Sequence, residues 1–314
     1  MFNPTSIYTW LILMLLGFNT GILSGFFGIG GCFILTPLLN IMGLSMANAV
    51  GTGLFFAVMV SIFGGIKHYL AGNTLLKISI IMGSLSFIGI QISQPLVIYL
   101  DKLNLADFYI RLLYIVLLLA LGILTLNKKQ VHSSSEKRIN HNPISMFQKL
   151  KNIPPRVLIY PEGLSVSIWV LIVIALFIGL LQGFLGVGGG FILVPVLIVF
   201  LNIKPHHAIG TSLVTIIISS IFATFLYLQD GKVLIPVSLV LGLGSLAGVN
   251  FGVRATCNIG GEKLKYLYSI FLILTSIGII LKSLNYSVIS LSYMLILSMS
   301  MGFLVIFGYC FQKK

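Results

Sequence analysis

Charged side chains are scarce in this sequence of 314 residues, of which only 8% are Asp, Glu, Lys or Arg. Soluble globular domains carry about a quarter of their residues as charged groups. With 58% hydrophobic residues and a mean hydropathy of +1.09, the chain has too little polar surface for a soluble enzyme, a disordered protein or a nucleic-acid-binding domain. This composition predicts a polytopic integral membrane protein that is surrounded by lipid.

Acidic residues and cysteines are also few. The six acids all lie outside the apolar runs, so the sequence lacks the carboxylates that form proton relays and cation sites within a membrane. Cys32, Cys257 and Cys310 are too few and too scattered for a disulfide framework or a metal site. Because no nucleophile–base pair, metal cluster or cofactor motif is present, we predict no enzymatic activity, no metal and no cofactor.

Long apolar runs, by contrast, fill most of the chain. A transmembrane helix needs about 20 apolar residues, and seven runs have roughly that length. Two further runs, at 7–43 and 166–202, are nearly twice as long, and each is interrupted by a glycine cluster followed by a proline. The sequence therefore predicts an all-α membrane protein of about ten or eleven membrane segments, counting a short second leg in each long run.

The two long runs open a sequence repeat. Gly21–Pro37 and Gly179–Pro195 are identical at eleven of seventeen positions, and the segment AVGT at 49–52 matches AIGT at 208–211. Between the repeats lies a polar, basic segment for which we predict no fold of its own. The predicted organisation is a first membrane repeat at 1–126, a linker at 127–165, a second membrane repeat at 166–284 and an extra transmembrane helix at 285–314.

The net charge of +13 sets the predicted topology, because Lys and Arg accumulate on the cytoplasmic side of membrane proteins. If each long run crosses the membrane twice, as a hairpin or a broken helix pair, 15 of the 19 basic residues lie on the same side of the membrane as the linker. If each run crosses once, 11 basic residues lie on one side and 8 on the other. The first arrangement predicts a plasma (inner) membrane protein with a cytoplasmic linker and C-terminus. It also gives two repeats of inverted topology, which are typical of secondary transporters.

The glycine clusters at 25–31 and 183–189 are unexpected within membrane segments, because glycine in a helix interior costs roughly 1 kcal/mol relative to alanine. Unwound backbone is tolerated within a membrane where it is buried in protein or lines a wet cavity. The helix that follows each cluster presents unpaired N–H groups and a positive dipole end, which bind anions. We therefore predict a binding site for a small anion, lined by Gly28, Gly30, Gly31, Gly186, Gly188 and Gly189. The alternative is close helix packing, which suits Gly21, Gly25, Gly179 and Gly183 better.

Other polar residues within the apolar runs are candidates for the same site. The hydroxyls of Thr52, Thr211 and Ser212 can donate to an anion or cap a helix. Gln91 and Asn250 are paired by the repeat and can contact the substrate or bond another helix. Arg254 can neutralise the anion or anchor a helix end at the membrane surface.

The paired motifs G-x-x-G-[IV]-G-G-[GC]-F-[IL]-x-x-P, the A-[VI]-G-T segments that follow them and the hydrophilic linker resemble the sulfite exporter TauE/SafE family. The resemblance covers both halves and implies transport of small sulfur-containing or carboxylated anions such as sulfite and sulfoacetate. With the cell interior negative, expulsion of a monovalent anion gains about 2.3 kcal/mol per 100 mV. We therefore predict an exporter that works by alternating access; the alternatives are a passive anion channel on the same fold and an uptake carrier coupled to an ion.

Overall fold

Eleven helices make up nearly all of the described part of the chain, which is residues 7–127, 156–159 and 164–311 of a computed structural model. Nine of them are long and apolar enough to cross a membrane. In chain order the helices are α1 Ile7–Phe27, α2 Cys32–Ile41, α3 Met46–Leu70, α4 Leu76–Lys102, α5 Ala106–Asn127, α6 Ile168–Leu185, α7 Gly190–Val199, α8 Pro205–Gln229, α9 Ile235–Asn258, α10 Gly261–Ser283 and α11 Ser287–Phe311.

Each of the two long apolar runs folds as a long helix, a short break and a ten-residue helix. The breaks lie between α1 and α2 and between α6 and α7, where the glycine clusters stand. Ten helical residues extend only about 15 Å, which is half of the hydrocarbon thickness. The prediction of an all-α protein with a glycine-broken helix at the start of each repeat is thus confirmed for the described residues.

Most of the predicted linker at 127–165 lies outside the described residues. Near its end, β1 (Arg156–Ile159) and β2 (Leu164–Ser167) pair as antiparallel strands, with Arg156 opposite Ser167. The expectation that the linker has no fold of its own is therefore wrong for the six strand residues that fall within it, at 156–159 and 164–165. The sequences of the two strands, RVLI and LSVS, contain β-branched residues, which favour strands. The average composition of the whole linker does not reveal such a preference over only four residues.

Helices of each half pack mainly against helices of the other half. α1 lies along α9 and α6 lies along α4, while α3 packs against α8 and α5 against α10. Because α1 to α5 correspond to α6 to α10 in the repeat, exchange of the two halves leaves this set of pairs unchanged. The core therefore lies between the halves, and α11 packs on its outside against α1, α9 and α10.

Small residues allow α1 and α6 to approach their partner helices closely. A Cβ atom on Gly21 would lie 2.6 Å from the carbonyl oxygen of Ser245, and one on Gly25 would lie 2.7 Å from that of Val249, both on α9. Gly179 and Gly183 face α4 in the same manner, against Ser86 and Ser93. The packing role predicted for these four glycines is confirmed, and it fixes where α1 and α6 end relative to the other half.

Candidate functional site

The two helix breaks are formed by glycines in the left-handed region of backbone conformation. In the first break φ is 71° at Gly28, 69° at Gly30 and 73° at Gly31. Residues with a Cβ atom adopt such angles only at a cost, so the glycine pattern determines the shape of the break. The equivalent residues of the second break, Gly186, Gly188 and Gly189, have φ values of 69°, 65° and 79°.

The two breaks meet in the interior of the protein. A Cβ atom on Gly190 would lie 2.7 Å from the carbonyl oxygen of Gly28 and 2.8 Å from the Cα of Ile29. The side chain of Ile216, on α8, contacts both breaks, at 3.3 Å from the Cβ position of Gly30 and 3.0 Å from that of Gly188. Two segments that are far apart in the chain thus form one buried region.

Backbone carbonyls at the ends of α1 and α6 accept hydrogen bonds from side chains. At the end of α1, His68 Nε2 bonds the oxygen of Gly25 at 2.9 Å, and Ser212 Oγ donates to that of Gly28 at 2.6 Å. At the end of α6, Tyr227 donates to Gly183 at 2.7 Å, Tyr114 to Leu185 at 2.8 Å and Thr36 to Gly186 at 3.2 Å. These five carbonyls at the ends of the broken helices are therefore paired.

The amides of Gly28 and Gly186 still donate to the carbonyls of Ser24 and Gln182, at 2.8 Å, but the central amides of both breaks are not paired. The residues that carry these central amides are buried, and their N–H groups donate to no acceptor in the described part of the chain. The six central amides are those of Gly30, Gly31, Cys32, Gly188, Gly189 and Gly190. Buried N–H groups in proteins almost always have a partner, so such a cluster is unusual. Free amides beside carbonyls that accept hydrogen bonds give the backbone of this region an excess of donors and a positive potential, which favours an anion.

The three hydroxyl residues predicted for the site lie around it in different ways. Ser212 donates to Gly28 and is therefore in direct contact with the first break. Thr52 Oγ1 accepts from the amide of Leu234 at 3.1 Å, and Thr211 Oγ1 accepts from that of Leu75 at 3.0 Å. These two bonds are equivalent in the repeat, and each ties one half of the protein to the other.

The remaining predicted residues lie away from the breaks. Gln91 is exposed on the outer surface of α4, and Asn250 donates to the carbonyl of Leu246 within α9. Asn250 and Arg254 line an open groove of about 470 Å³ together with Lys67. The structure does not bring these three predicted residues together with the glycine segments, and their contact with substrate stays a prediction.

Sequence reasoning missed polar side chains that border the breaks. Ser24, Ser61, Gln182 and Ser220 are at most 1% exposed. Gln182 Oε1 lies 3.3 Å from the Cβ position of Gly189, and Ser61 Oγ lies 3.5 Å from that of Gly30. Their signal in the sequence was available, because Ser24 and Gln182 occupy the same position of the repeated glycine motif.

Comparison with known proteins finds relatives that are named as membrane transporters. The chain is 26% identical to "Probable membrane transporter protein YunE" of Bacillus subtilis, over 85% of this chain and 95% of that protein. It is 23% identical to "Probable membrane transporter protein YdhB" of the same organism, over 78% of this chain and 90% of that protein. A "Probable membrane transporter protein" of Haemophilus influenzae is 24% identical, over 86% of this chain and 98% of that protein. No solved structure matches the chain significantly.

The family comparison covers nearly all of both halves. The sequence profile described as "Sulfite exporter TauE/SafE" matches residues 9–279, which include both glycine breaks and the helices that pack around them. This chain is therefore a member of the sulfite exporter TauE/SafE family.

Proposed function

We propose that the protein is a secondary transporter of small anions, and that its substrates are sulfite- or sulfonate-like sulfur anions or carboxylates. The observation that carries the proposal is the cluster of six buried amides, unpaired among the described residues, beside carbonyls that are paired. Free amides replace the hydration shell of an anion without a formal positive charge. The family description supports a sulfite-like substrate, and the names of the relatives support transport through a membrane.

The anion binds, in this proposal, between the amides of the two breaks. Ile216 contacts both breaks, so its side chain has to move away from Gly30 or Gly188 before the anion reaches both sets of amides. A relative movement of the two halves would open the site first to one side of the membrane and then to the other. We assign Arg254, with Lys67 in the open groove, to the approach of the anion.

Contacts between the repeats support their inverted orientation. Thr211, in the second turn of α8, bonds the amide of Leu75, which follows the end of α3. Thr52, in the second turn of α3, bonds the amide of Leu234, which follows the end of α8. The equivalent helices α3 and α8 therefore run antiparallel, and we infer that the two repeats face opposite sides of the membrane.

Charge at the helix ends supports a cytoplasmic linker. At one end of the bundle Asp101 pairs with Lys232 at 2.8 Å, and Asp107 pairs with Arg111 at 2.6 Å. Gln94 bonds a third acid there, Asp230. The opposite end, where the linker begins, carries seven basic residues and one acid among the described residues: Lys67, Lys77, Arg156, Lys204, Arg254, Lys263, Lys265 and Glu262. From the positive-inside rule we infer that this end lies in the cytoplasm.

The proposed direction of transport is export. No acid of the described chain lies at the glycine breaks, so the site offers no carboxylate for a coupling cation. Expulsion of a monovalent anion from a negative interior gains about 2.3 kcal/mol per 100 mV, which drives export without a coupling ion.

Flux measurements in proteoliposomes test this proposal. Purified protein is reconstituted, and efflux of sulfite, sulfoacetate and acetate is followed while a potassium gradient with valinomycin sets the membrane potential. We expect flux that saturates with substrate concentration, exceeds that of empty liposomes and reverses when the potential is reversed. Ohmic currents that do not saturate would show that the protein is a channel and not a carrier. The absence of flux for every anion would refute the proposal.

A further inference from the structure

Four buried polar side chains surround the meeting point of the glycine breaks, two from each half. Ser24 and Gln182 occupy equivalent positions in α1 and α6, and Ser61 and Ser220 occupy equivalent positions in α3 and α8. Each is at most 1% exposed. The repeat thus places the same pair of side-chain positions beside each break, but the first half has two hydroxyls where the second has a hydroxyl and an amide.

Two of these side chains reach the segments with unpaired amides. Ser61 Oγ lies 3.5 Å from the position that a Cβ atom on Gly30 would take. Gln182 Oε1 lies 3.3 Å from the corresponding position on Gly189. Both side chains therefore lie directly beside the segments that carry the unpaired amides.

Three of these side chains have a polar atom without a hydrogen-bond partner among the described residues. Gln182 Nε2 donates to Ser220 Oγ at 3.0 Å, and this bond orients the amide. Gln182 Oε1, Ser24 Oγ and Ser61 Oγ have no partner among the described residues. A hydroxyl can donate to an anion, whereas the oxygen of an amide side chain can only accept. The site thus combines several free donors with one free acceptor.

We propose that the transported anion carries a hydrogen-bond donor of its own, an O–H or N–H group that it donates to Oε1 of Gln182. This inference rests on the proposed function and specifies its substrate class. The negative oxygens of the anion bind the backbone amides and the hydroxyls of Ser24 and Ser61. A fully deprotonated oxyanion offers acceptors only and leaves Gln182 unsatisfied, which a buried site penalises.

The substrate class is therefore a monoanion with one polar hydrogen. Hydrogensulfite-like acid anions, hydroxysulfonates and hydroxycarboxylates meet this description. Simple alkylsulfonates and alkylcarboxylates have the same negative group but lack the donor. Because Gln182 has a serine as its equivalent in the other half, only one orientation of such an anion satisfies both halves.

Matched pairs of anions test the inference, because the members of each pair have the same charge and differ in one donor. The probes are isethionate against ethanesulfonate and glycolate against acetate, measured as initial flux into proteoliposomes that contain the full-length protein. We expect the wild-type protein to prefer the donor-carrying member of each pair by about tenfold or more, which corresponds to about 1.4 kcal/mol.

The variant Gln182→Met removes the acceptor and keeps a side chain of similar length. We expect the ratio of the two fluxes within each pair to fall towards one, because the donor-carrying anion loses its hydrogen-bond acceptor in the protein. Gln229→Met is the matched control, since Gln229 is exposed at the end of α8, and we expect it to keep the wild-type preference.

The possible outcomes separate this inference from the function on which it rests. Equal flux of both members of each pair through the wild-type protein overturns the inference and leaves anion transport intact. A preference that persists in Gln182→Met overturns the assignment to this side chain. Absence of flux for all four anions overturns the proposed function itself. If Gln182→Met does not fold, the wild-type comparison alone decides whether a donor is recognised.

Discussion

Gly30 and Gly188 combine two properties that a side chain would remove. Both have a left-handed backbone, and both carry an amide without an acceptor among the described residues. A methyl group on either would also press on Ile216, at 3.3 Å and 3.0 Å. The conformation that exposes the amides therefore depends on the absence of a Cβ atom.

Replacement of either glycine by alanine is expected to reduce anion flux by about tenfold or more. Left-handed backbone costs a residue with a Cβ roughly 1–2 kcal/mol, and relief of that strain turns the amide away from its binding direction. Flux of the best wild-type substrate in proteoliposomes measures the effect, with reconstituted protein quantified for each variant. Gly72→Ala and Gly231→Ala are matched controls, with φ of 74° and 66° and open space around the Cβ position. An equal loss in those controls would show that backbone strain alone, and not the site, lowers the flux.

The sequence indicated where the backbone leaves the helical conformation, because three glycines within four residues interrupt a membrane helix and glycine takes up the left-handed conformation without a steric penalty. It did not indicate which amide side chains face the site. Gln91 is exposed on α4, whereas Gln182 is buried beside Gly189. In a helix that is apolar all round, hydrophobic periodicity does not distinguish the lipid-facing side from the protein-facing side.

At the scale of the helix, α1 and α6 end where side chains of other helices bond their last carbonyls. His68 of α3 bonds Gly25, and the equivalent residue Tyr227 of α8 donates to Gly183. These side chains allow the helices to stop within the protein, next to the breaks, without leaving those acceptors unsatisfied.

Tyr227→Phe is expected to destabilise the protein by about 1–3 kcal/mol, because it leaves the buried oxygen of Gly183 without this donor. Thermal unfolding of the purified protein in detergent measures the change. Tyr99→Phe is the control, since the Tyr99 side chain is 61% exposed, and it should leave the unfolding temperature unchanged. Equal unfolding temperatures for Tyr227→Phe and the wild type would show that the bond to Gly183 does not hold the end of α6.

Close packing of α1 on α9 gives a second expectation at this scale. Gly21→Val places a branched side chain against the backbone of Ser245, where even a Cβ atom has no room, and such overpacking costs about 1–3 kcal/mol or more. Leu15→Val introduces the same residue on the lipid-facing side of α1, where Leu15 is 57% exposed. The yield and unfolding temperature of the folded protein should fall for Gly21→Val only. An equal fall for Leu15→Val would show that valine destabilises helix α1 itself, independently of its contact with α9.

The break in each long run could be predicted from the glycines and from a length that exceeds one crossing. The side chains that bond the last carbonyls of these helices could not be predicted. Tyr227 and Gly183, for example, are 44 residues apart and meet only through tertiary packing. The strands β1 and β2 were missed for a related reason, since a short local preference is hidden within a polar segment.

The whole molecule consists of two halves that hold each other, with α1 along α9 and α6 along α4. The repeat in the sequence indicated two equivalent halves, but it could not indicate which helices pair between them. That pairing is decided by small residues that let the helices approach closely, such as Gly25 against Val249. It places the two breaks together in the interior.

Opposite orientation of the halves predicts that the loops after α3 and α8 lie on opposite sides of the membrane. Single cysteines at exposed Ala71 and Gln229, in a background with Cys257 and Cys310 changed to serine, test this with a membrane-impermeant thiol reagent on intact cells. We expect rapid labelling from outside at position 229 and labelling at position 71 only after permeabilisation. Labelling of both positions from the same side would contradict the inverted orientation of the two repeats.

The central claim is that two sets of unpaired backbone amides, brought together by the two halves, bind the anion. A density map of the protein with bound sulfite, or with the heavier selenite, tests it most directly. We predict density for the anion within about 2.7–3.2 Å of amides from both breaks, with those of Gly30 and Gly188 among them. Density in the groove of Lys67 and Arg254 instead, with the amides of the breaks bonded to protein carbonyls, would contradict this claim.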